Sequence, residues 1–414
     1  MIERKIKEDF LNELLIEVRK TFSRESELDD ERALDIISET VFSDRRTELL
    51  GNDEIEEMID KIYFKTRAKL GILEPLVLSD EINEIMVNGK DKIFFEKGGK
   101  IEKYRLSFDS VEELEDVMRN IASEVHREFN EMNPIVDARL MDGSRVNCVY
   151  KNVAVNGPIL TIRKFSESYI TMSDLISNGT VGERQATFLK ALVRSGYNIF
   201  ISGGTSSGKT TMLNALSEAI PTGERVIVIE DSTELKLNMI ENIVHMECRN
   251  ANSQGRGLVT MADLIRSSLR MRPDRIIVGE VRGGEVAEMV QAMNTGHNGS
   301  LSTGHSNSVS GMLKRLEAMY LMAVSLDIGA IRSQIAEGID VMIHLEKRED
   351  GRRVITEIKE IVDYKNGEFI LNDLISESSG GMINLGKAEA AGEDFVEILS
   401  RGCGSGNIHR QAVL

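Results

Sequence analysis

The chain has 414 residues, 41% of them hydrophobic, enough for a substantial core and about two or three domains. Its formal net charge of −17 argues against nonspecific DNA binding by the whole surface, though not against a local basic patch. With no tryptophan and 5% aromatics, an aromatic platform for single strands is not expected.

Residues 1 to about 75 read as a helical bundle with charged faces: Ile6, Phe10, Leu14, Val18 and Phe22 keep one helical stripe. Leu34, Ile37 and Val41 mark a second helix, and Ile55, Ile59 and Ile62 a third. The start, Met1-Ile2-Glu3-Arg4-Lys5, opens a charged amphipathic helix rather than a secretory signal, and no apolar run reaches the length of a membrane span. Cys148, Cys248 and Cys403 are too far apart for a disulfide framework or a zinc knuckle. The reading is a cytosolic chain, with membrane attachment through a partner left open.

From about residue 80 to 165 the period changes to that of a small α+β domain. Ile85-Met86-Val87 and Ile93-Phe94-Phe95 predict strands joined through a turn at Lys97-Gly98-Gly99-Lys100. Val111, Leu114, Met118, Ile121 and Val125 predict a helix. Strands return at 135–139, 145–150 and 159–163, with Asp142-Gly143-Ser144 a tight turn. The serine-bearing stretch 166–183 reads as a linker, with the character of a hinge.

From 184 to about 375, apolar runs at 198–202, 225–230 and 275–279 alternate with helical patterns, which predicts parallel βαβ units. Residues 339–345, 352–362 and 368–371 predict a closing antiparallel set. The segment 376–414 reads as a loose tail with one short helix near Phe395–Leu399.

Gly203-Gly204-Thr205-Ser206-Ser207-Gly208-Lys209-Thr210 fits the phosphate-loop pattern G-x-x-x-x-G-K-[ST], between a predicted strand and a helix carrying Met212, Leu213 and Leu216. Orphaned N–H groups and the helix dipole there attract anions, and glycines let the backbone curl around phosphates. The predicted ATP-binding set is these eight residues with Thr211; Lys209 reaches the β/γ-phosphates and Thr210 holds Mg²⁺.

Two further strands end in acids. Glu230, Asp231 and Glu234 follow the run 225–229. Alone they would read as a turn cluster; beside a phosphate loop they are candidates to position Mg²⁺ or orient water. Arg275-Ile276-Ile277-Val278-Gly279-Glu280 has the shape of a Walker B element with Glu280 in the acid position. His297 and His305 fall in a Gly/Ser/Thr-rich stretch. Either would sense the γ-phosphate or link it to the next subunit, although a lone histidine is more often structural. No cysteine or acid cluster completes a zinc site there.

In this order, the phosphate loop, Glu230-Asp231 with Glu234, the run Met271–Glu285, and Asn294-Thr295-Gly296-His297 through His305-Ser306-Asn307-Ser308 closely resemble the type II/type IV secretion-system ATPase family. There they correspond to the Walker A, Asp box, Walker B and His box. Upstream, Glu84–Gly89, Val136–Leu140 and Asp142–Asn147 resemble its CpaF-like branch, which drives assembly of tight-adherence (Flp) pili. The match spans about 80 to 375. It implies a RecA-like ATPase domain with a parallel sheet, behind a small α+β domain and a helical bundle. It also implies ATP with Mg²⁺, a hexameric ring, and an integral membrane platform protein as partner; from the net charge and few aromatics, no direct nucleic acid is expected. By motif position, Glu234 or Glu230 would orient water and Glu280 would act through Mg²⁺. His297 and His305 would read phosphate state, and Arg145 and Arg163 would reach the γ-phosphate. Gly304 departs from the pattern, where a bulkier apolar residue is expected, and would loosen the loop before His305. The lack of a tetracysteine insertion argues against the main type II secretion branch. The alternatives are a type IV secretion motor for protein or DNA, and a nucleotide-gated scaffold; retention of Glu234, Glu280 and both histidines speaks against the scaffold.

Overall fold

A computed structural model describes residues 2–25, 28–164, 170–249, 251 and 255–374. The chain falls into two compact units, Met1–Glu167 and Ser168–Leu414.

The first unit opens with three helices, α1 (Ile2–Phe22), α2 (Asp30–Ser43) and α3 (Asn52–Thr66). Their apolar stripes meet in a core of Phe10, Leu14, Val18, Ile37, Val41, Met58 and Ile62. Asp29 caps α2, its carboxylate accepting from the Arg32 N–H at 2.8 Å. Helix α4 (Glu74–Leu78) then leads into β1 (Ile82–Asn88), β2 (Ile93–Lys97), β3 (Lys100–Lys103), α5 (Val111–Glu124), β4 (Ile135–Arg139), β5 (Arg145–Val149) and β6 (Ile159–Arg163). The strands form one antiparallel sheet in the order β3-β2-β1-β6-β5-β4. Alternation sends Val146, Cys148, Leu160 and Ile162 into a core shared with Leu114, Met118 and Ile121 of α5. Arg145 and Arg163, one residue out of phase, therefore stand on the opposite face.

The second unit runs α6 (Met172–Ser177), α7 (Glu183–Arg194), β7 (Ile199–Gly203), α8 (Lys209–Ser217), β8 (Val226–Glu230), β9 (Ile243–Glu247), α9 (Met261–Ser268), β10 (Arg275–Val278), α10 (Glu285–Asn294), β11 (Leu301–His305), α11 (Val309–Ala323), α12 (Ile328–Gly338), β12 (Val341–Lys347), β13 (Arg353–Lys365) and β14 (Glu368–Asp373). Its eight strands lie in the order β14-β13-β12-β7-β11-β10-β8-β9. The six from β12 to β9 are parallel; β13 and β14 add antiparallel. Both faces are covered. Ile199, Ile201, Val228, Ile277 and Ile343 pack with α6 to α8, and Phe200, Ile227, Ile229, Ile276 and Met342 pack with α9 to α12. Burial on two sides explains why these strands read as continuous apolar runs.

Several expectations need correction. The run 339–345 joins the parallel set, β12 pairing parallel with β7 and turning antiparallel only at β13. β9 and β11 are strands that the apolar-run criterion misses; β11, Leu301-Ser302-Thr303-Gly304-His305, has one apolar residue yet lies between β7 and β10. Part of the stretch 166–183 is folded rather than hinge-like: Met172 and Leu175 of α6, with Val181, are buried in the second unit's core. Gly304 does not loosen its surroundings. A Cβ there would lie 2.9 Å from Met312 Cε and 3.0 Å from Phe200 Cζ, so these side chains occupy the space a larger residue would take. The tail and its helix near 395–399 lie outside the described residues.

Candidate active site

Parallel pairing brings five carboxyl-terminal strand ends to one edge. His305 of β11 and Leu345 of β12 both register with Gly203 of β7, and Val278 of β10 registers with Ile229 of β8. Gly203, Glu230, Glu280 and His305 thus share an edge although up to 102 positions separate Gly203 from His305 (305 − 203). In open parallel sheets this is where ligands bind.

At the loop 203–208 the chain leaves β7 and enters α8. Gly203 has no room for a side chain, since a Cβ would fall 2.5 Å from both Leu345 O and Ser207 Oγ. Ser206 and Gly208 take left-handed backbone, φ 57° and 95°, which curls the loop into the N-terminus of α8. Gly204 faces open space, and Thr205 and Ser206 are exposed. Thr210 and Thr211 are half-buried in the first turn of α8. The Lys209 ammonium is buried and folded back on the loop, donating to Gly204 O at 2.9 Å and Gly203 O at 3.2 Å.

From Lys209 a chain of polar contacts crosses the strand ends. Lys209 Nζ lies 3.2 Å from His305 Nδ1, and His305 Nε2 lies 2.7 Å from Glu280 Oε1. Arg282 Nη2 donates to Glu280 Oε2 at 2.7 Å, and Nη1 reaches Asp231 Oδ2 at 3.3 Å. An ammonium only donates, so Nδ1 is the acceptor and the ring proton sits on Nε2; the N–H is not aligned on Glu280 Oε1, so that link is a close electrostatic contact and not a hydrogen bond. Burial, then the adjacent Lys209 charge, hold the His305 pKa below its ordinary value against the pull of Glu280. His305 is therefore a neutral bridge between the phosphate-loop lysine and the Walker B acid.

The acids after β8 have different surroundings. Glu230 is 4% exposed; its Oε1 accepts from the N–H groups of Glu234 at 2.9 Å and Leu235 at 3.1 Å. It props the loop that carries Glu234, which is half-buried. Gly279 makes room for it: a Cβ at 279 would come within 2.9 Å of Glu230 Cγ. Asn214 of α8 ties the same loop to the phosphate helix, accepting from Lys236 N at 2.9 Å. Cys248 beside Asp231 has its thiol pushed up to about 12 by burial and that carboxylate, so it carries no thiolate chemistry.

One sequence candidate of the second unit lies away from the phosphate loop. His297 precedes β11, whereas His305 ends it, so the strand's length separates them and His297 lies at the amino edge. Its Nδ1 donates to Ala292 O at 3.1 Å, and the adjacent Asn298 lies against Gly196. Within this chain the structure brings His305, and not His297, to the phosphate loop. Arg145 and Arg163 belong to the first unit, where they are register partners on β5 and β6, with Arg139 of β4 next in the row. Arg139, Arg282 and Asn214 were not singled out from sequence. The period-2 phase of β4 marks Arg139; nothing local marks Asn214.

Among the described residues no group of three or more His, Cys, Asp or Glu is arranged to hold a metal ion. Mg²⁺ takes one or two protein oxygens together with phosphate oxygens, and Thr210 and Glu280 are the groups that could supply them.

A parallel sheet covered on both faces, with a phosphate loop on a central strand and acids at the ends of two other strands on the same edge, defines a RecA-like P-loop nucleotide-binding domain. The chain belongs to the type II/IV secretion system protein family, whose model matches residues 66–363. It is 32% identical over 294 residues to a putative conjugal transfer protein of Mycobacterium tuberculosis, covering 70% of this chain and 83% of that one. It is 33% identical to the conjugal transfer protein TrbB of Rhizobium radiobacter over 75% of this chain and 93% of that protein. The crystal structure of the pilus retraction motor PilT with bound ADP shares the fold, with TM-score 0.54 and 21% identity over 72% of this chain and 83% of that chain. Among the described residues no helix is long and apolar enough to cross a membrane.

Proposed function

We propose that this chain is the ATP-hydrolysing subunit of a hexameric ring motor that powers a type II/IV secretion machine, in the branch that assembles tight-adherence pili. The observation that carries the reading is the Lys209–His305–Glu280 contact chain at the phosphate loop. A fold used only as a scaffold has no need of a neutral histidine held between the phosphate-binding lysine and an acid.

In this reading the loop 203–208 and the α8 N-terminus bind the α- and β-phosphates of ATP. Thr210 and Glu280 would hold Mg²⁺, which would supply positive charge to the phosphates. Lys209 leaves the Gly203 and Gly204 carbonyls for the γ-phosphate. His305 then loses a donor at Nδ1, and its change of partner passes to Glu280. Glu234 orients the attacking water, with Glu230 fixing the loop beneath it. Arg145 and Arg163 present two cations to the γ-phosphate in the transition state. His297, away from its own phosphate loop, links to the neighbouring subunit. The ring works at the inner face of the cell membrane through an integral platform protein. The conjugal transfer names of the similar proteins favour a second reading, a type IV secretion motor for protein or DNA, in which the same site turns over ATP.

The test is steady-state ATPase activity against oligomer size, for wild type and Lys209→Ala, with and without ATP. Turnover that rises with hexamer formation and vanishes in the variant is expected. Tight ATP binding without turnover in every assembly state, with the platform protein added, would sink the motor reading.

A further inference from the structure

A second cation rests on the phosphate loop. β13 opens with Arg353, directly beyond the turn that joins it to β12, where it registers with Lys347. Its Nε donates to Ser206 O at 3.1 Å. Its stem lies on Gly208: a Cβ at that position would be 3.1 Å from Arg353 Cδ. Glycine at 208 thus answers two demands, a left-handed φ of 95° and the passage of this side chain.

How the guanidinium is held points to a ligand. One N–H is spent on the loop carbonyl, which fixes the plane of the group against the loop. Among the described residues neither Nη makes a hydrogen bond, and no carboxylate pairs with Arg353. Its neighbour Arg352 shows the contrast, with Nη2 paired to Asp350 Oδ2 at 2.7 Å. Arg353 therefore offers a pre-oriented two-nitrogen fork beside a loop built to hold phosphate. That is the geometry in which arginine binds phosphate oxygens bidentately, while a lysine offers only a point charge.

The two cations serve different ends of the loop. Lys209 contacts Gly203 and Gly204 and points toward His305 and Glu280, the side where bond cleavage is proposed. Arg353 contacts Ser206 and Gly208, at the end of the loop that enters α8. We propose that Arg353 is a nucleotide-binding residue that grips the α/β-phosphates, setting affinity for ADP as well as ATP without taking part in γ-phosphate cleavage. This rests on the loop being the nucleotide site, as proposed above.

The experiment is binding of fluorescent ADP and ATP analogues with Mg²⁺, alongside turnover, for the full chain as wild type, Arg353→Gln, Arg353→Lys and Lys209→Ala. Arg353→Gln is expected to weaken ADP and ATP alike by about tenfold, the worth of a charge-assisted phosphate contact, raising KM with kcat nearly kept. Arg353→Lys, which keeps the charge and most of the stem, is expected to lose a few-fold (about three). Thermal melting without nucleotide is expected to match wild type for both, since the position is exposed. Unchanged ADP affinity in both variants would make Arg353 a mere staple of the hairpin. Loss confined to ATP would refute the assignment to the α/β end. A wild type that binds neither nucleotide, or Lys209→Ala binding both as well as wild type does, would overturn the functional reading and this inference with it.

Discussion

Glu230 and Glu234 are both candidates from sequence to orient the attacking water, and Glu230→Gln separates their roles. The Glu230 carboxylate is buried and accepts from two backbone N–H groups at 2.9 and 3.1 Å, those of Glu234 and Leu235. A glutamine of the same shape keeps an oxygen acceptor there but loses the charge. A hydrogen bond to a charged group is worth about 1.5–3 kcal/mol and a neutral one about 0.5–1.5 kcal/mol. The substitution should then cost about 1 kcal/mol per bond, or about 2 kcal/mol for the pair. At about 2–4 °C per kcal/mol for a unit of this size, melting should fall by about 4–8 °C. Because the loop is still propped, turnover at temperatures well below melting should stay within about threefold of wild type, whereas Glu234→Gln should lose it by about a hundredfold. Circular-dichroism melting and a coupled ATPase assay read both quantities. Abolished turnover in Glu230→Gln, with the melting temperature barely moved, would mean that Glu230 itself handles the water and that the propping argument is wrong.

Three further outcomes are expected. Glu280→Gln should keep ATP binding and lower turnover by about a hundredfold, and normal turnover would remove Glu280 from the mechanism. The His305 midpoint, read by NMR of the imidazole, should lie below 6.5 and rise in Lys209→Ala, because removing the ammonium removes a charge that disfavours protonation. Since the folded pKa is the lower one, the stability His305 contributes is complete above the unfolded value of 6.5 and is lost as pH falls through the folded value; a midpoint that stays put in Lys209→Ala would contradict the contact. Arg275→Ala should cost about 3–5 kcal/mol by chemical denaturation. The side chain is buried, donates to Val193 O at 2.6 Å and pairs with Glu224, so its loss strands a buried carbonyl and a carboxylate. A loss under about 1 kcal/mol would show that the pair is relaxed by solvent.

What the sequence determined by itself is what local physics encodes. The phosphate loop was legible because a strand, a glycine-rich turn and a helix start follow one another within a few residues. β7, β8 and β10 were legible because strands buried on both faces must be apolar throughout. β1, β2, β4, β5, β6 and α5 were legible from period-2 and period-3.6 patterns; β3 was not. Tertiary structure alone decided the rest. β11 is central because its neighbours bury it, and Gly304 leaves room for Met312 and Phe200 to fill; no apolar run announces it. The distance between His297 and His305 is set by that same strand, so eight positions in sequence become opposite edges of a sheet. Glu230 became a prop only when its strand end met Gly279, 49 positions away (279 − 230). Arg353 reached Ser206 only because β12 joined β7 in parallel and the chain then turned back. Contacts of this range depend on strand order and register, which the chain acquires only when all its strands pack together.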